Sequence, residues 1–150
     1  AGIELVKQAN FSKVFSLNTN INIYQNTIDS FTVLNKYPVP STYSASKQQF
    51  TSGNIKVNAV FHFPKQTDFQ ITSIYLAPDI IPQGKIYSRF SIDMGVKKQI
   101  QKGKGELFLN ASDILNTLNT KREIIGNGFT LNSTDYNETQ VFRLGYSYKF

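Results

Sequence analysis

The last ten residues, Val141-Phe-Arg-Leu-Gly-Tyr-Ser-Tyr-Lys-Phe150, decide how the rest of the chain is read. Phe142, Leu144, Tyr146, Tyr148 and Phe150 fall on one set of alternate positions, and Val141, Arg143, Gly145, Ser147 and Lys149 on the other. Successive side chains of a strand point to opposite faces, so this segment is a strand with one apolar, aromatic face and one mostly polar face.

The same period recurs upstream. Ile86, Ser88, Phe90, Ile92, Met94 and Val96 oppose Tyr87, Arg89, Ser91, Asp93, Gly95 and Lys97. Ile55, Val57, Ala59, Phe61 and Phe63 oppose Lys56, Asn58, Val60 and His62, and Leu107, Leu109 and Ala111 oppose Glu106, Phe108 and Asn110. The pattern predicts an all-β chain, an antiparallel up-and-down meander of about seven strands over 2–8, 13–29, 53–63, 68–77, 86–98, 105–111 and 138–150. Several exceed ten residues. An ordinary strand has about five or six, whereas a membrane-crossing strand needs roughly 9–11. The expectation is part of a large transmembrane β-barrel.

The connections alternate as well. Short turns are expected at Ala9–Ser12, Pro64–Thr67 and Gln99–Lys104, and long polar loops at Ser30–Ser52, Pro78–Lys85 and Ser112–Asn137. Outer-membrane barrels have short periplasmic turns and longer extracellular loops. On that frame the last strand runs inward and Phe150 lies at the periplasmic rim.

Composition removes other classes. The 150 residues contain no Cys and one His, which excludes disulfide scaffolds, thiol nucleophiles and cysteine-based metal sites. The longest apolar run is Ile74–Ala77, far short of the roughly 18 residues of a membrane helix. Asn 14, Ser 13, Thr 12 and Gln 10 make up about a third of the chain, and they fill the polar face. Lys56, Arg89, Asp93, Glu106 and Arg143 are its charged members, the candidates for facing a lumen. The chain begins at Ala1 inside a strand pattern, which suggests a processed or excised piece.

Three segments carry a resemblance: Tyr87-Ser-Arg-Phe-Ser-Ile-Asp-Met-Gly-Val-Lys-Lys, Gly105-Glu-Leu-Phe-Leu-Asn-Ala-Ser-Asp-Ile-Leu-Asn-Thr, and Arg143-Leu-Gly-Tyr-Ser-Tyr-Lys-Phe150. They resemble the closing strands of TonB-dependent receptors, in the outer membrane protein beta-barrel branch of SusC-like and related receptors. Leu115 stands where that family usually has Phe. The specific part covers residues 84–150. The resemblance implies a 22-stranded barrel filled by an N-terminal plug, without catalysis or cofactor, in the bacterial outer membrane. This chain shows neither plug nor TonB box and looks like the last third of such a barrel. The partners implied are the lipid bilayer, the remainder of the barrel and its plug, the barrel-assembly machinery and a surface lipoprotein. Tyr146, Tyr148 and Phe150 match the assembly signal, and equally suit an interfacial aromatic girdle.

Other motifs carry less. His62 lacks a nucleophile elbow to serve. Gly103-Lys-Gly105 and Gly126-Asn-Gly128 open no helix and read as turns. Lys97, Lys98, Lys102 and Lys104 crowd one turn, but no nucleic-acid-binding signature accompanies them, so no nucleic-acid partner is expected. Loop aromatics Tyr37, Tyr43, Phe50, Phe129 and Tyr136 are candidates for stacking on a sugar or peptide, or for packing the loops together. Two alternatives stay open: a complete small barrel of about eight strands, acting as anchor or adhesin, and a soluble β-sandwich binding module. The latter predicts Phe142, Leu144, Tyr146 and Phe150 buried against a second sheet.

Overall fold

The computed structural model describes residues 1–150. Its strands are β1 (Gly2–Asn10), β2 (Phe15–Ile28), β3 (Phe31–Asn35), β4 (Ser41–Ala45), β5 (Gln48–Phe63), β6 (Thr67–Leu76), β7 (Asp79–Ile81), β8 (Gly84–Ile86), β9 (Arg89–Ile100), β10 (Gly105–Ser112), β11 (Asn119–Gly126), β12 (Phe129–Tyr136) and β13 (Val141–Tyr148). One 3-10 turn, Gln101–Gly103, joins β9 to β10. No helix is long and apolar enough to cross a membrane.

Seven long strands form one antiparallel sheet in the order β1-β2-β5-β6-β9-β10-β13. These are the seven strands expected from the alternation, although β5 begins five residues earlier and β9 and β13 begin three later than the pattern suggested. The sheet does not close on itself, and β1 and β13 each have one neighbour only.

The register sorts every side chain onto a face. One row runs Phe15, Phe61, Phe69, Val96, Leu109, Leu144, and the next runs Leu17, Ala59, Ile71, Met94, Ala111, Phe142. The opposite face carries Asn18, Asn58, Thr72 and Asp93 in one row. No hydrophobic residue of the chain is buried, and Phe142 and Leu144 are 67% and 79% exposed. That overturns the soluble sandwich, because no second sheet covers the apolar face. The accessible surface of 10637 Å² exceeds the roughly 7,700 Å² of a compact protein of this mass.

The apolar band is oblique to the strands. Its short-turn edge is Phe15 on β2, which lies in the row of Leu144, yet on β13 the band continues four residues further to Tyr148. Its other edge is Ile23 on β2 and Phe142 on β13, six residues apart in register. A slip of about 13–20 Å across five strand spacings is a strand tilt of roughly 30–40°, close to that of membrane barrels. Above the band, β2 and β5 continue as a two-stranded arm whose outward residues Gln25, Thr27, Gln49 and Thr51 are polar.

The long connections differ from expectation. They are not irregular loops: Phe31–Asn35 pairs with Ser41–Ala45, and β12-β11-β8-β7 form a four-stranded sheet. Asn127-Gly128 makes the two-residue turn of the β11–β12 hairpin, with Gly128 at φ +81.

Candidate functional site

The polar face of the large sheet is a trough. Its largest depression, about 530 Å³, is lined by Asn18, Asn20, Asn54, Lys56, Asn58 and Thr72. A second, about 290 Å³, lies between Gln70, Asp93, Asn110 and Arg143. A third, about 390 Å³, lies towards the short turns beside Asp68, Lys97, Glu106 and Phe108. The floor is built of amides and hydroxyls because β2, β5 and β6 place these residues on alternate positions of adjacent strands.

Lys56, Arg89, Asp93, Glu106 and Arg143 all share this face but do not converge. Lys56 stands in register with Asn20 and Ile74. The Lys97 ammonium is 3.0 Å from Glu106. Arg89 donates to the Thr120 hydroxyl at 3.3 Å, and the Asp93 carboxylate accepts the Asp113 N–H at 2.8 Å. Arg143 is opposite Asn110. His62 lies 2.8 Å from the Asp68 carboxylate. Gly145 leaves room for the Phe108 ring across the strand pair, since a Cβ there would overlap that ring.

At the long-loop end the four-stranded sheet leans over the same face. Asp79, at the start of β7, accepts from the Tyr24 hydroxyl at 2.8 Å and from the Asn26 amide at 3.0 Å. Ser52 donates to the Pro78 carbonyl at 2.7 Å. Lys85, Tyr87 and Glu123 form one cluster: Tyr87 donates to Glu123 at 3.1 Å, and Lys85 lies 3.4 Å from Glu123 and 5.2 Å over the Tyr87 ring. Hydrogen bonding to Glu123, then to Tyr87, holds the Lys85 pKa above its ordinary value. Arg122 pairs with Asp135 at 2.8 Å.

Asp113 is the tightest node, 1% exposed. Its φ of +44 turns the chain out of β10. Its carboxylate accepts from the Thr117 N–H at 3.0 Å, the Leu118 N–H at 3.1 Å and the Thr139 hydroxyl at 2.6 Å. Burial alone favours the neutral acid, but the bonds from Thr139, Thr117 and Leu118 outweigh it and hold the carboxyl below its ordinary value. Ile114 and Thr117 bond the carbonyls of Ile92 and Phe90. The Asp113-Ile-Leu-Asn-Thr117 segment therefore fastens the ends of β9 and β10 to the start of β13. Sequence reasoning quoted this segment without giving Asp113 a role. The available signal was an Asp followed four residues on by Thr, the pattern of a side chain that captures local N–H groups.

The loop aromatics do not gather. Tyr43 packs on Phe31 with ring centroids 6.0 Å apart, Phe129 covers Gly126, and the Tyr136 hydroxyl bonds Asn116 at 2.9 Å. Phe50 lies on β5 rather than in a loop, and Tyr37, 89% exposed, stands free in the β3–β4 turn. Tyr146 and Tyr148 lie on the apolar face at the short-turn end, with Phe150 edge-on to Tyr148 at 5.5 Å.

A coreless sheet with a tilted apolar band is what a membrane barrel wall requires, and residues 1–148 match the model of the outer membrane protein beta-barrel family. The chain belongs to that family. No curated protein and no solved structure matches it. As an outer membrane protein of the beta-barrel family it resides in the bacterial outer membrane. Members of this architecture turn an apolar band to lipid and a polar face inward, the two faces that the register separates here.

Proposed function

We propose that these residues form the C-terminal part of the barrel of a TonB-dependent outer-membrane receptor. They close the wall and display the extracellular surface over the substrate path. The observation that carries the reading is the open seven-stranded sheet. In hydrocarbon each unpaired backbone group costs several kcal/mol, and single-chain bacterial barrels have even strand numbers. On this reading further strands pair with β1 and β13.

On this reading Lys56, Arg89, Asp93, Glu106 and Arg143 line the lumen wall against a plug. Neutral amides between them let a polar solute slide without a deep charge trap. The β7-β8-β11-β12 sheet roofs the lumen from the extracellular side, and Tyr37 at the free turn offers an aromatic to an arriving solute or a surface lipoprotein. Tyr146, Tyr148 and Phe150 present the assembly signal outward. These residues position and admit a solute; they carry no reaction and no cofactor.

The second reading is a small barrel of about eight strands, in which one further strand would join the edge strands β1 and β13. Cysteines introduced at Val6 and Arg143, on the two edge strands, separate the readings, and the chain has no other thiol. In an eight-stranded barrel one strand lies between them and a short bismaleimide joins them. In a large barrel they face each other across the lumen and no cross-link forms. Efficient cross-linking in assembled protein would sink the receptor reading.

A further inference from the structure

The net charge of +6 is not spread over the molecule. The short-turn end carries Lys13, Lys65, Lys97, Lys98, Lys102, Lys104 and Lys149 against Asp68 and Glu106. The long-loop end carries Lys36, Lys47, Lys85, Lys121 and Arg122 against Asp29, Asp79, Asp113, Glu123, Asp135 and Glu138. Pairing differs too. At the long-loop end Lys47, Lys85 and Arg122 each meet a carboxylate within 4.0 Å, whereas at the short-turn end Lys97 is the only lysine that does. Six lysines on one rim are left without an internal counter-charge.

The fold gathers four of them. The Lys149 N–H donates to the Lys104 carbonyl at 2.8 Å, which sets the C-terminus against the β9–β10 turn. The Tyr146 hydroxyl donates to Gln101 of the same turn at 2.7 Å. Lys98 points to the apolar face, in one row with Phe63, Thr67, Leu107 and Tyr146. Its ammonium thus emerges where the apolar band ends and the aromatic rim begins, the depth of lipid headgroups.

We propose that Lys98, Lys102 and Lys104, with Tyr146, form a binding surface for the phosphodiester headgroup of anionic phospholipid in the periplasmic leaflet. The inference rests on the assignment of the short turns to the periplasmic side. The acyl chains lie along Leu107, Leu109 and Leu144, and the phosphate supplies the charge that the rim lacks. A soluble polyanion would meet the lysines but not this adjoining apolar row, which is why a lipid is the favoured occupant.

The test uses the protein assembled in the outer membrane, extracted in non-ionic detergent and incubated with equimolar phosphatidylglycerol and phosphatidylethanolamine, with retained lipid counted by native mass spectrometry. The wild type is expected to prefer phosphatidylglycerol, and more so at low salt. Joint substitution Lys98→Gln, Lys102→Gln and Lys104→Gln is expected to lower that preference on the order of ten-fold or more. Joint Lys36→Gln, Lys47→Gln and Lys121→Gln is expected to leave it unchanged. No preference in the wild type, the same loss in both variants, or selective retention of lipopolysaccharide through the short-turn lysines would overturn the inference. Sidedness is read separately. Labelling of Lys102→Cys by an impermeant maleimide in intact cells would overturn the periplasmic assignment, and with it this leaflet as the source. Absence of any phosphatidylglycerol preference in the wild type, with Lys102→Cys protected in intact cells, overturns the lipid surface alone.

Discussion

The large sheet and the small one are held by different forces. The seven-stranded sheet has long strands, an apolar face and no core, so apart from its ladder hydrogen bonds its stability comes from what surrounds it. The β7-β8-β11-β12 sheet mixes apolar and polar residues, with Ile81, Ile124 and Leu131 in one row beside Arg122 and Asp135 on the same face, and is tied down by named side chains: Asp79 to Tyr24 and Asn26, Glu123 to Tyr87 and Lys85, Arg122 to Asp135. The first answers to the solvent against its apolar face, the second to hydrogen bonds and charge.

The largest test of that contrast is an arginine on each sheet. Leu144→Arg, within the apolar band of β13, is expected to cost about 2–4 kcal/mol in a denaturant titration of the protein folded into phospholipid vesicles. Leu131→Arg, exposed on β12, is expected to change stability by less than about 0.5 kcal/mol. Equal effects would remove the distinction between the sheets.

Next comes the polar face of the large sheet, where packing rather than lipid decides. Gly145→Val drives a branched side chain into the Phe108 ring and is expected to cost about 1–3 kcal/mol in the same titration. Adding Phe108→Ala should recover much of the loss. Independent, additive costs would refute the proposed contact.

Asp113 joins the two regions. Asp113→Ala strands two N–H groups and the Thr139 hydroxyl and is expected to cost about 1–3 kcal/mol. Hydrogen exchange should accelerate at Thr117 and Leu118 while the centre of β5 stays protected. Because its folded pKa lies below the ordinary 3.8, its contribution is complete above that value and lost as pH falls through the lower folded one. Exchange at Thr117 measured between neutral pH and strong acid should show loosening only at the acid end; loosening near neutrality would contradict the assignment. The smallest effect is Arg122→Ala, which breaks an exposed ion pair and is expected to cost under about 1 kcal/mol, less at high salt.

The same contrast explains what was legible in the sequence. The large sheet was readable because a face that meets lipid must be apolar at every second position, a constraint that leaves a period-2 trace in β2, β5, β9 and β13. Where it is relaxed, in β6 with Ser73 outward and Ile74 on the polar face, the alternation blurs. The small sheet leaves no such trace: β7 and β8 have three residues each, and Lys121, Arg122 and Glu123 break any apolar rhythm in β11. Its one local signal was Asn127-Gly128, read as a turn but not as a hairpin. Asp113 was hidden for another reason, since its partner Thr139 is 26 residues away and only the fold brings them together. The loop aromatics were visible, but Tyr43, Phe129 and Tyr136 are occupied by Phe31, Gly126 and Asn116.

The arm formed by β2 and β5 above the apolar band has a consequence of its own. From Ile23 to Ile28 the strand rises about 17 Å beyond the last apolar row, and the β3–β4 hairpin with its exposed Tyr37 crowns it. With the long connections on the outer side, as the proposed function has them, this arm is the part of the protein that a large molecule in the medium meets first. Its pairing is backbone to backbone and its outward side chains are polar, so most of its surface residues are free to change without disturbing the wall below. On that orientation the arm is a part of the outer surface that can change while the wall below keeps its fold.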